Sequence, residues 1–213
     1  MRVDNIRMLV GNMPCVPLET DEAPGARFWI KLEGCNPSGS VKDRACLYNL
    51  DEAIAPGRPQ RGQTILDASS GNMACPVAYF GRLMDYPVTV ICSSKLTADK
   101  AAFIRYFGGE LTMHGDLTIE GNRLCKQMAD AEQGKYCFLD RLHNRANPSA
   151  HYETTAPEIL ADFPDVTAVV GSLGSGGTMA GRSDGGSGNG SRGPGAREGF
   201  TGTGIDASAR AID

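Results

Sequence analysis

The sequence predicts an α/β fold built on a largely parallel sheet. Strand-like apolar runs at 28–33, 64–68, 88–92, 110–113, 136–139 and 166–170 alternate with helix-period stretches at 43–54, 72–84, 98–107, 118–133 and 151–163. Parallel neighbours need a crossover connection, and the helical stretches supply one between successive strands. Ligands of such sheets bind beyond the carboxyl ends of the strands, so segments that directly follow strands are the first candidates for a site.

The first strand-like run, 28–33, leads into Asn36-Pro37-Ser38-Gly39-Ser40-Val41-Lys42-Asp43-Arg44. This turn-rich approach places Lys42 at the start of the helix predicted over 43–54. Lysine in water keeps its proton up to about pH 10.4, so an amine nucleophile requires a lowered pKa. Burial and the positive end of the helix dipole both act in that direction. A surface lysine is the alternative, but a cation is unfavourable at a helix start.

Two later segments also follow strand-like runs and open helices. Ser69-Ser70-Gly71-Asn72 comes after 64–68, and Gly174-Ser175-Gly176-Gly177-Thr178 comes after 166–170. Backbone N–H groups at such turns converge on anions, and the glycines permit a nest around a phosphate. Read singly, the first segment is an N-cap and the second a tight turn. Together with Lys42 they indicate a pyridoxal-phosphate site.

The composition excludes several other classes of protein. The chain has 213 residues, 41% of them hydrophobic, and a net charge of −4 with scattered Lys and Arg, so the basic patch of a nucleic-acid binder is missing. No apolar run could span a bilayer, and the N-terminus lacks the apolar core of a signal peptide. We therefore expect a cytoplasmic protein that acts on small molecules, not on nucleic acid or membranes.

The cysteines and histidines do not form a metal or disulfide pattern. The seven cysteines are odd in number and contain no C-x-x-C pair, and the three histidines lack metal or triad spacing. Most cysteines are expected to be buried as small hydrophobes, although Cys35 and Cys75 adjoin the motifs. His151 is expected to be structural.

The order of the motifs and the identities of their residues resemble the cysteine synthase family, also called O-acetylserine sulfhydrylase. This family belongs to the fold type II pyridoxal-phosphate enzymes, the tryptophan synthase β-like group that includes cystathionine β-synthase. The resemblance spans about residues 6–181 and also covers Gly11-Asn12-Met13-Pro14, Ala146-Asn147-Pro148, His151-Tyr152 and Thr154-Thr155-Ala156-Pro157-Glu158. A glycine-rich loop alone is weak evidence, but five segments in the family's order make the match specific.

The resemblance implies a role for each motif. Lys42 would bond to the cofactor's aldehyde and later remove the substrate's α-proton. Asn72 would contact the cofactor's ring oxygen, and the turn would hold its phosphate through Gly174, Ser175, Gly176, Gly177 and Thr178. The substrate carboxylate would lie on Ser69, Ser70, Gly71 and Met73.

The resemblance also implies two domains and a homodimer. Residues 1–42 would pack on the second domain, 43–145 would form the small mobile domain, and 146–181 would begin the large cofactor-binding domain, which is then incomplete. Residues 182–213 hold nine glycines and one aromatic residue, so we expect a disordered tail. We expect the sequence to be truncated or frame-shifted after about Gly181.

Two departures from the family pattern concern the substrate. Met73-Ala74 stands where these synthases usually have Thr-Gly, which removes one hydroxyl from the carboxylate cradle. Arg141 stands roughly where they often have a glutamine, and its fork suits a carboxylate or phosphate. We therefore hypothesise an acidic β-substituent, as in O-phosphoserine; a solvated surface arginine is an equal alternative.

The implied reaction is β-elimination from a serine derivative, O-acetylserine or O-phosphoserine, followed by addition of sulfide or a related nucleophile, as in cysteine biosynthesis. A serine or threonine dehydratase is the second enzymatic hypothesis, and Ala74 leans slightly towards it. A non-catalytic fragment or pseudoenzyme that acts by binding is the hypothesis from another class.

Overall fold

The centre of the fold is a four-stranded parallel sheet. The computed structural model describes residues 2–22, 25–55, 62–172 and 176–180. The strands are β1 Cys15–Leu18, β2 Phe28–Lys31, β3 Thr64–Ala68, β4 Val88–Cys92, β5 Glu110–Met113 and β6 Tyr136–Phe138. The α-helices are α1 Lys42–Ile54, α2 Ala74–Leu83, α3 Ala98–Tyr106, α4 Thr118–Ala131, α5 Ala146–Ala150, α6 Ala156–Asp162 and α7 Gly177–Ala180. A π-helical turn, His151–Thr155, joins α5 to α6.

The sheet confirms the predicted α/β class. Its strand order is β5-β4-β3-β6, and every neighbouring pair is parallel. The helices α2, α3 and α4 each follow a strand and lead to the next, as parallel connections require. Because all four strands run the same way, their carboxyl ends share one edge. The segments that begin at Ser69, at Ser93 and at Leu139 therefore start along that edge.

Apolar packing covers both faces of the sheet. One cluster joins β3 and β4 to α1, α2 and α3 and includes Leu50, Ile65, Phe80 and Ile104. A smaller cluster of Leu66, Ala68, Ile91 and Cys125 joins the opposite face to α4. Successive side chains of a strand point to opposite faces, so Asp67 shares the face of Ile65 and points towards α1. This places a carboxylate in the larger core.

Two predicted strands differ from the structure. The run at 28–33 was expected in the parallel sheet, but β2 pairs antiparallel with β1, a strand that the sequence analysis missed. Proline at position 17 is tolerated because the ribbon has only two strands and both are edges. The run at 166–170 was predicted to be a strand and is not one; Val170 is 93% exposed. A strand needs a hydrogen-bonding neighbour, and no described strand pairs with this run.

The β1–β2 ribbon is anchored to α1 and α6 by ion pairs around the buried Arg44. Arg44 is 1% exposed, and its guanidinium binds both Glu33 and Glu158 with N–O distances of 2.6–2.9 Å. Glu158 also accepts from Lys31 at 2.8 Å and from the backbone N–H of Asn12 at 2.8 Å. We call these groups the Arg44 network. It connects the N-terminal segment, α1 and α6.

Some predictions about the domain organisation remain predictions. The division into 1–42, 43–145 and 146–181 stays a prediction, and the tail at 182–213 lies outside the described residues. The helix expected at 151–163 is part of a longer helical run that starts at Ala146. None of the helices that the structure describes combines the length and the apolarity that crossing a membrane would require.

Candidate active site

Lys42 is the first residue of α1 and is half-buried. Burial lowers the pKa of its amine, and the positive charge of Arg141 lowers it further. The approach to the helix is fixed by local hydrogen bonds: the Ser38 N–H donates to Asp43 at 2.7 Å, and the Lys42 N–H donates to the Ser40 hydroxyl at 3.2 Å. These bonds fix the backbone of the turn from which the half-buried Lys42 side chain extends.

The asparagine segment lies between β3 and α2, as predicted. Ser69 is buried, and the Ser70 hydroxyl bonds to the hydroxyl and backbone N–H of Ser93 at 2.7 and 2.6 Å. Ser70 therefore joins the ends of two neighbouring strands. Asn72 is exposed, and a Cβ placed on Gly71 would meet no atom within 4 Å. The backbone here faces open space that can admit a ligand.

One cleft joins the lysine segment to the asparagine segment. Its volume is about 200 Å³, and its lining residues are Ser38, Asn72, Cys75, Asp99, Lys100 and Phe103. Cys75 therefore does line the site region, whereas Cys35 is exposed. All seven cysteines lie within the described residues, and none of them forms a disulfide. Within the ranges that the structure describes, no group of His, Cys, Asp and Glu side chains is arranged to hold a metal ion.

Arg141 lies beyond β6 and is not a solvated surface residue. Its side chain is 13% exposed, its Nη2 donates to the Ala68 carbonyl at 2.8 Å, and its Nε lies 3.3 Å from Oδ2 of Asp67. Burial raises the pKa of Asp67 to about 6 although Arg141 opposes the rise. The guanidinium is thus anchored at the end of β3, next to the asparagine segment and close enough to Lys42 to act on its charge.

The glycine turn is described from Gly176 onward, and its predicted members Gly174 and Ser175 lie outside the described residues. Gly176 has φ +82°, in the left-handed region that favours glycine. A Cβ on Gly177 would lie 2.3 Å from Oδ1 of Asn147, so only glycine fits there. Asn147 in turn donates to the Arg141 carbonyl at 3.2 Å. This amide links the glycine turn to the Arg141 segment.

Thr178 is the other described member of the turn. Its hydroxyl lies 3.2 Å from Nε2 of His151, and Nδ1 of the same ring lies 2.9 Å from the Thr155 hydroxyl. The ring is fully buried. His151 was expected to be structural; its contacts place it directly behind a predicted phosphate-binding residue.

The three motifs are thus related in space: Arg141 donates to Ala68 before the asparagine segment, Asn147 packs against Gly177, and the charge of Arg141 acts on Lys42. The sequence profile of the pyridoxal-phosphate dependent enzymes matches residues 6–190. The chain belongs to this family.

Several relatives within the family are cysteine synthases. Cysteine synthase B of Escherichia coli is 36% identical over 84% of this chain and 60% of its own length, and cysteine synthase of Aquifex aeolicus is 32% identical over 84% and 57%. Cysteine synthase of Entamoeba histolytica has the same fold, with a TM-score of 0.78, 30% identity and coverage of 85% of this chain and 56% of its own. A solved O-ureido-L-serine synthase is 31% identical, with a TM-score of 0.77 and coverage of 85% and 58%.

These matches confirm the resemblance and the fold class derived from the sequence. They also show that the chain spans about 60% of the length of the curated relatives that it matches. The family is named for pyridoxal phosphate, and the residues present fit that group. Lys42 supplies an amine with a lowered pKa, the backbone at Gly71 faces open space, and the Thr178 hydroxyl of the glycine turn lies against the His151 ring.

The sequence analysis missed Asp67 and Asn147 as supports of the site. Asp67 carried a signal, because a carboxylate stands inside the apolar strand Thr64–Ala68, where an unpaired charge is costly. Asn147 was noted only as part of a family motif. Its packing against Gly177 depends on a contact between segments 30 residues apart, which no local pattern encodes.

Proposed function

We propose that the protein is a pyridoxal-phosphate-dependent enzyme that eliminates the β-substituent of a serine derivative and adds sulfide or a related nucleophile, giving cysteine or a similar amino acid. The observation that carries this proposal is the environment of Lys42, an amine half-buried at the start of α1 with a lowered pKa. The cysteine synthase relatives support the same reaction class.

When bound, the cofactor supplies an electron sink for the carbanion at the substrate's α-carbon. Lys42 would provide the amine that holds the cofactor's aldehyde carbon. Once the substrate's amine had displaced it there, the freed Nζ would take and hold the α-proton. A lowered pKa increases the fraction of neutral amine available for both tasks. Arg141 contributes because its fixed positive charge disfavours a second cation nearby.

The asparagine segment and the glycine turn serve as the two anion-binding turns. Asn72 would donate its amide to the cofactor's ring oxygen, and Gly176, Gly177 and Thr178 would hold the phosphate. Ser69, Gly71 and Met73 would receive the substrate carboxylate. The Ser70 hydroxyl is already committed to Ser93, so its contribution is to hold the segment in place.

O-Acetylserine is the substrate that the site favours. The Arg141 guanidinium already lies 3.3 Å from an Asp67 carboxylate oxygen and donates to the Ala68 carbonyl, so part of its charge is balanced within the protein. A dianionic phosphate would compete with both contacts. Wild type and Arg141→Gln should be compared on O-acetylserine and O-phosphoserine. A wild-type preference for O-phosphoserine that the substitution abolishes would restore the phosphoserine hypothesis.

The test of the proposed function is covalent labelling of Lys42. Purified protein is mixed with pyridoxal phosphate, reduced with borohydride and digested for mass spectrometry. We expect the adduct on Lys42, its loss in Lys42→Ala, and its retention in Lys126→Ala, which removes an exposed lysine of α4. Absence of an adduct at Lys42 would contradict the proposal and favour a non-catalytic protein.

Product analysis separates the enzymatic alternatives. With O-acetylserine and sulfide we expect cysteine, whereas a dehydratase would release keto acid and ammonia from serine or threonine without needing sulfide. A cytoplasmic location and a homodimer belong to the same proposal. Light scattering of the purified protein and fractionation of the source cells test these two points.

A further inference from the structure

The helical run that carries His151 contains an irregular turn. Between α5 and α6 the chain forms a π-helical turn, His151–Thr155, in which the Ala156 N–H donates to the carbonyl of His151. Such i→i+5 turns are rare and occur frequently at functional sites. This one brings His151 against Thr178, a residue of the glycine turn that lies 27 positions further along the chain.

The His151 ring has a hydroxyl at each nitrogen. Nδ1 lies 2.9 Å from Oγ1 of Thr155, and Nε2 lies 3.2 Å from Oγ1 of Thr178. A neutral imidazole donates from one nitrogen and accepts at the other, so the two hydroxyls must play opposite roles. If Thr155 donates to Nδ1, Nε2 carries the proton and donates to Thr178. In the reverse arrangement the hydroxyl hydrogen of Thr178 points at the ring.

A phosphate at the glycine turn selects between these arrangements. Phosphate oxygens are acceptors, so a hydroxyl at the turn stabilises them only when its hydrogen points away from the ring. That requires Thr178 to accept from Nε2. Thr155, His151 and Thr178 then form a chain of hydrogen bonds that all run in one direction, and each bond polarises the next. We call these three side chains the Thr155–His151–Thr178 relay.

We propose that His151 is a positioning residue, which through the relay directs the hydroxyl hydrogen of Thr178 onto the phosphate of the bound cofactor. This inference rests on the proposed function. It assigns to His151 a task beyond packing, because both ring nitrogens lie within hydrogen-bond distance of a hydroxyl and one of these hydroxyls belongs to the glycine turn.

The variants follow from the geometry of the ring. In His151→Gln the terminal amide reaches the position of Nε2 and can still donate to Thr178. In His151→Asn the shorter amide reaches only the position of Nδ1, so the donor to Thr178 is lost. Thr178→Val removes the hydroxyl at nearly constant volume and tests the relay from its other end. Thermal unfolding of each unloaded variant shows whether the fold is kept.

The readout is adduct formation at Lys42 with two probes, pyridoxal phosphate and pyridoxal, which lacks the phosphate. Each is titrated, reduced with borohydride and quantified by mass spectrometry. We expect His151→Asn and Thr178→Val to weaken labelling by pyridoxal phosphate on the order of tenfold, the loss of one hydrogen bond to a charged group. His151→Gln should stay near wild type, and pyridoxal labelling should not change in any variant.

The outcomes separate the two proposals. If wild type prefers pyridoxal phosphate and both His151→Asn and Thr178→Val keep that preference, the relay is refuted while the proposed function stands. If His151→Asn loses its fold, the result for Thr178→Val decides. Wild type that labels equally with both probes, or not at all, refutes the relay because no phosphate is recognised; absence of all labelling also refutes the proposed function.

Discussion

Replacing Glu158 by glutamine should lower the free energy of unfolding more than replacing any exposed acidic residue. Glu158 lies on α6 and is the shared acceptor of the Arg44 network, bound by Arg44, Lys31 and the Asn12 backbone. Its side chain is 15% exposed, and that of Arg44 is 1% exposed. Glutamine keeps the shape but removes the charge, which leaves Arg44 buried with Glu33 as its remaining carboxylate.

The magnitude follows from the pKa of Glu158. Burial opposes ionisation, but the hydrogen bonds from Arg44, Lys31 and Asn12 outweigh it and lower the pKa from 4.5 to about 2. That difference corresponds to roughly 3 kcal/mol of stability at neutral pH. Because the folded-state pKa is the lower one, the contribution is complete above the unfolded value of 4.5 and is lost as the pH falls towards 2.

The single tryptophan provides the assay. Trp29 lies on β2, and its ring contacts Phe163 at the end of α6 with a centroid distance of 5.0 Å. Its fluorescence therefore reports on the contact that the Arg44 network holds together. Urea unfolding at neutral pH should give a free energy of unfolding roughly 3 kcal/mol lower in Glu158→Gln than in wild type.

Glu153→Gln is the matched control. Glu153 is exposed in the π-helical turn five residues earlier, where it accepts from the hydroxyl of Tyr48 at 3.0 Å. Such exposed contacts contribute little, so its free energy of unfolding should stay within about 0.5 kcal/mol of wild type. Equal effects of the two substitutions, or a Glu158→Gln variant that keeps the acid sensitivity of wild type, would refute the reasoning.

Three further predictions concern other parts of the molecule. Burial raises the pKa of Asp67 from 3.8 to about 6, so between these pH values the folded state keeps a proton that the unfolded chain has released. The free energy of unfolding should therefore fall as the pH rises from 3.8 to about 6, and urea titrations should show a smaller fall in Asp67→Asn. Gly177→Ala would place a Cβ 2.3 Å from Asn147 and should lower the free energy of unfolding by about 1–3 kcal/mol. Iodoacetamide should alkylate exposed Cys35 but spare Cys46, which is fully buried with a raised thiol pKa, as peptide mass spectrometry will show.

Each of these has a contrasting result. Asp130→Asn replaces an exposed aspartate of α4 and should leave the pH dependence intact; the same flattening in both variants would count against Asp67. Gly71→Ala adds a Cβ with no atom within 4 Å and should unfold like wild type. Alkylation of Cys46 at the rate of Cys35 would show that the core around α1 opens readily.

The alternation of strand and helix was readable from the sequence because it is local. β3 and β4 are short apolar runs bounded by turn residues, and burial on both faces requires that composition. The same reasoning failed at 166–170, because an apolar run becomes a strand only when a neighbour offers hydrogen bonds. It also missed β1, since Cys15–Leu18 contains a proline and becomes a strand through its pairing with β2.

The candidate site divides in the same way. Lys42, the asparagine segment and the glycine turn were visible because each is a contiguous motif with its own chemistry. The residues that hold these motifs in place were not visible in the sequence. Asp67 under Arg141, Asn147 against Gly177, and His151 behind Thr178 pair residues that are distant in sequence.

By itself the sequence determined the α/β class, the family and the three segments from which a pyridoxal-phosphate site would be built, because each depends on composition and spacing within a few residues. Only the tertiary structure decided how those segments are held: that Arg141 is anchored on Asp67, that Ser70 is committed to Ser93, and that a buried histidine buttresses the glycine turn. Contacts of this kind depend on three-dimensional proximity. The packing of helices on a twisted sheet determines that proximity, and it cannot be read from any short stretch of sequence.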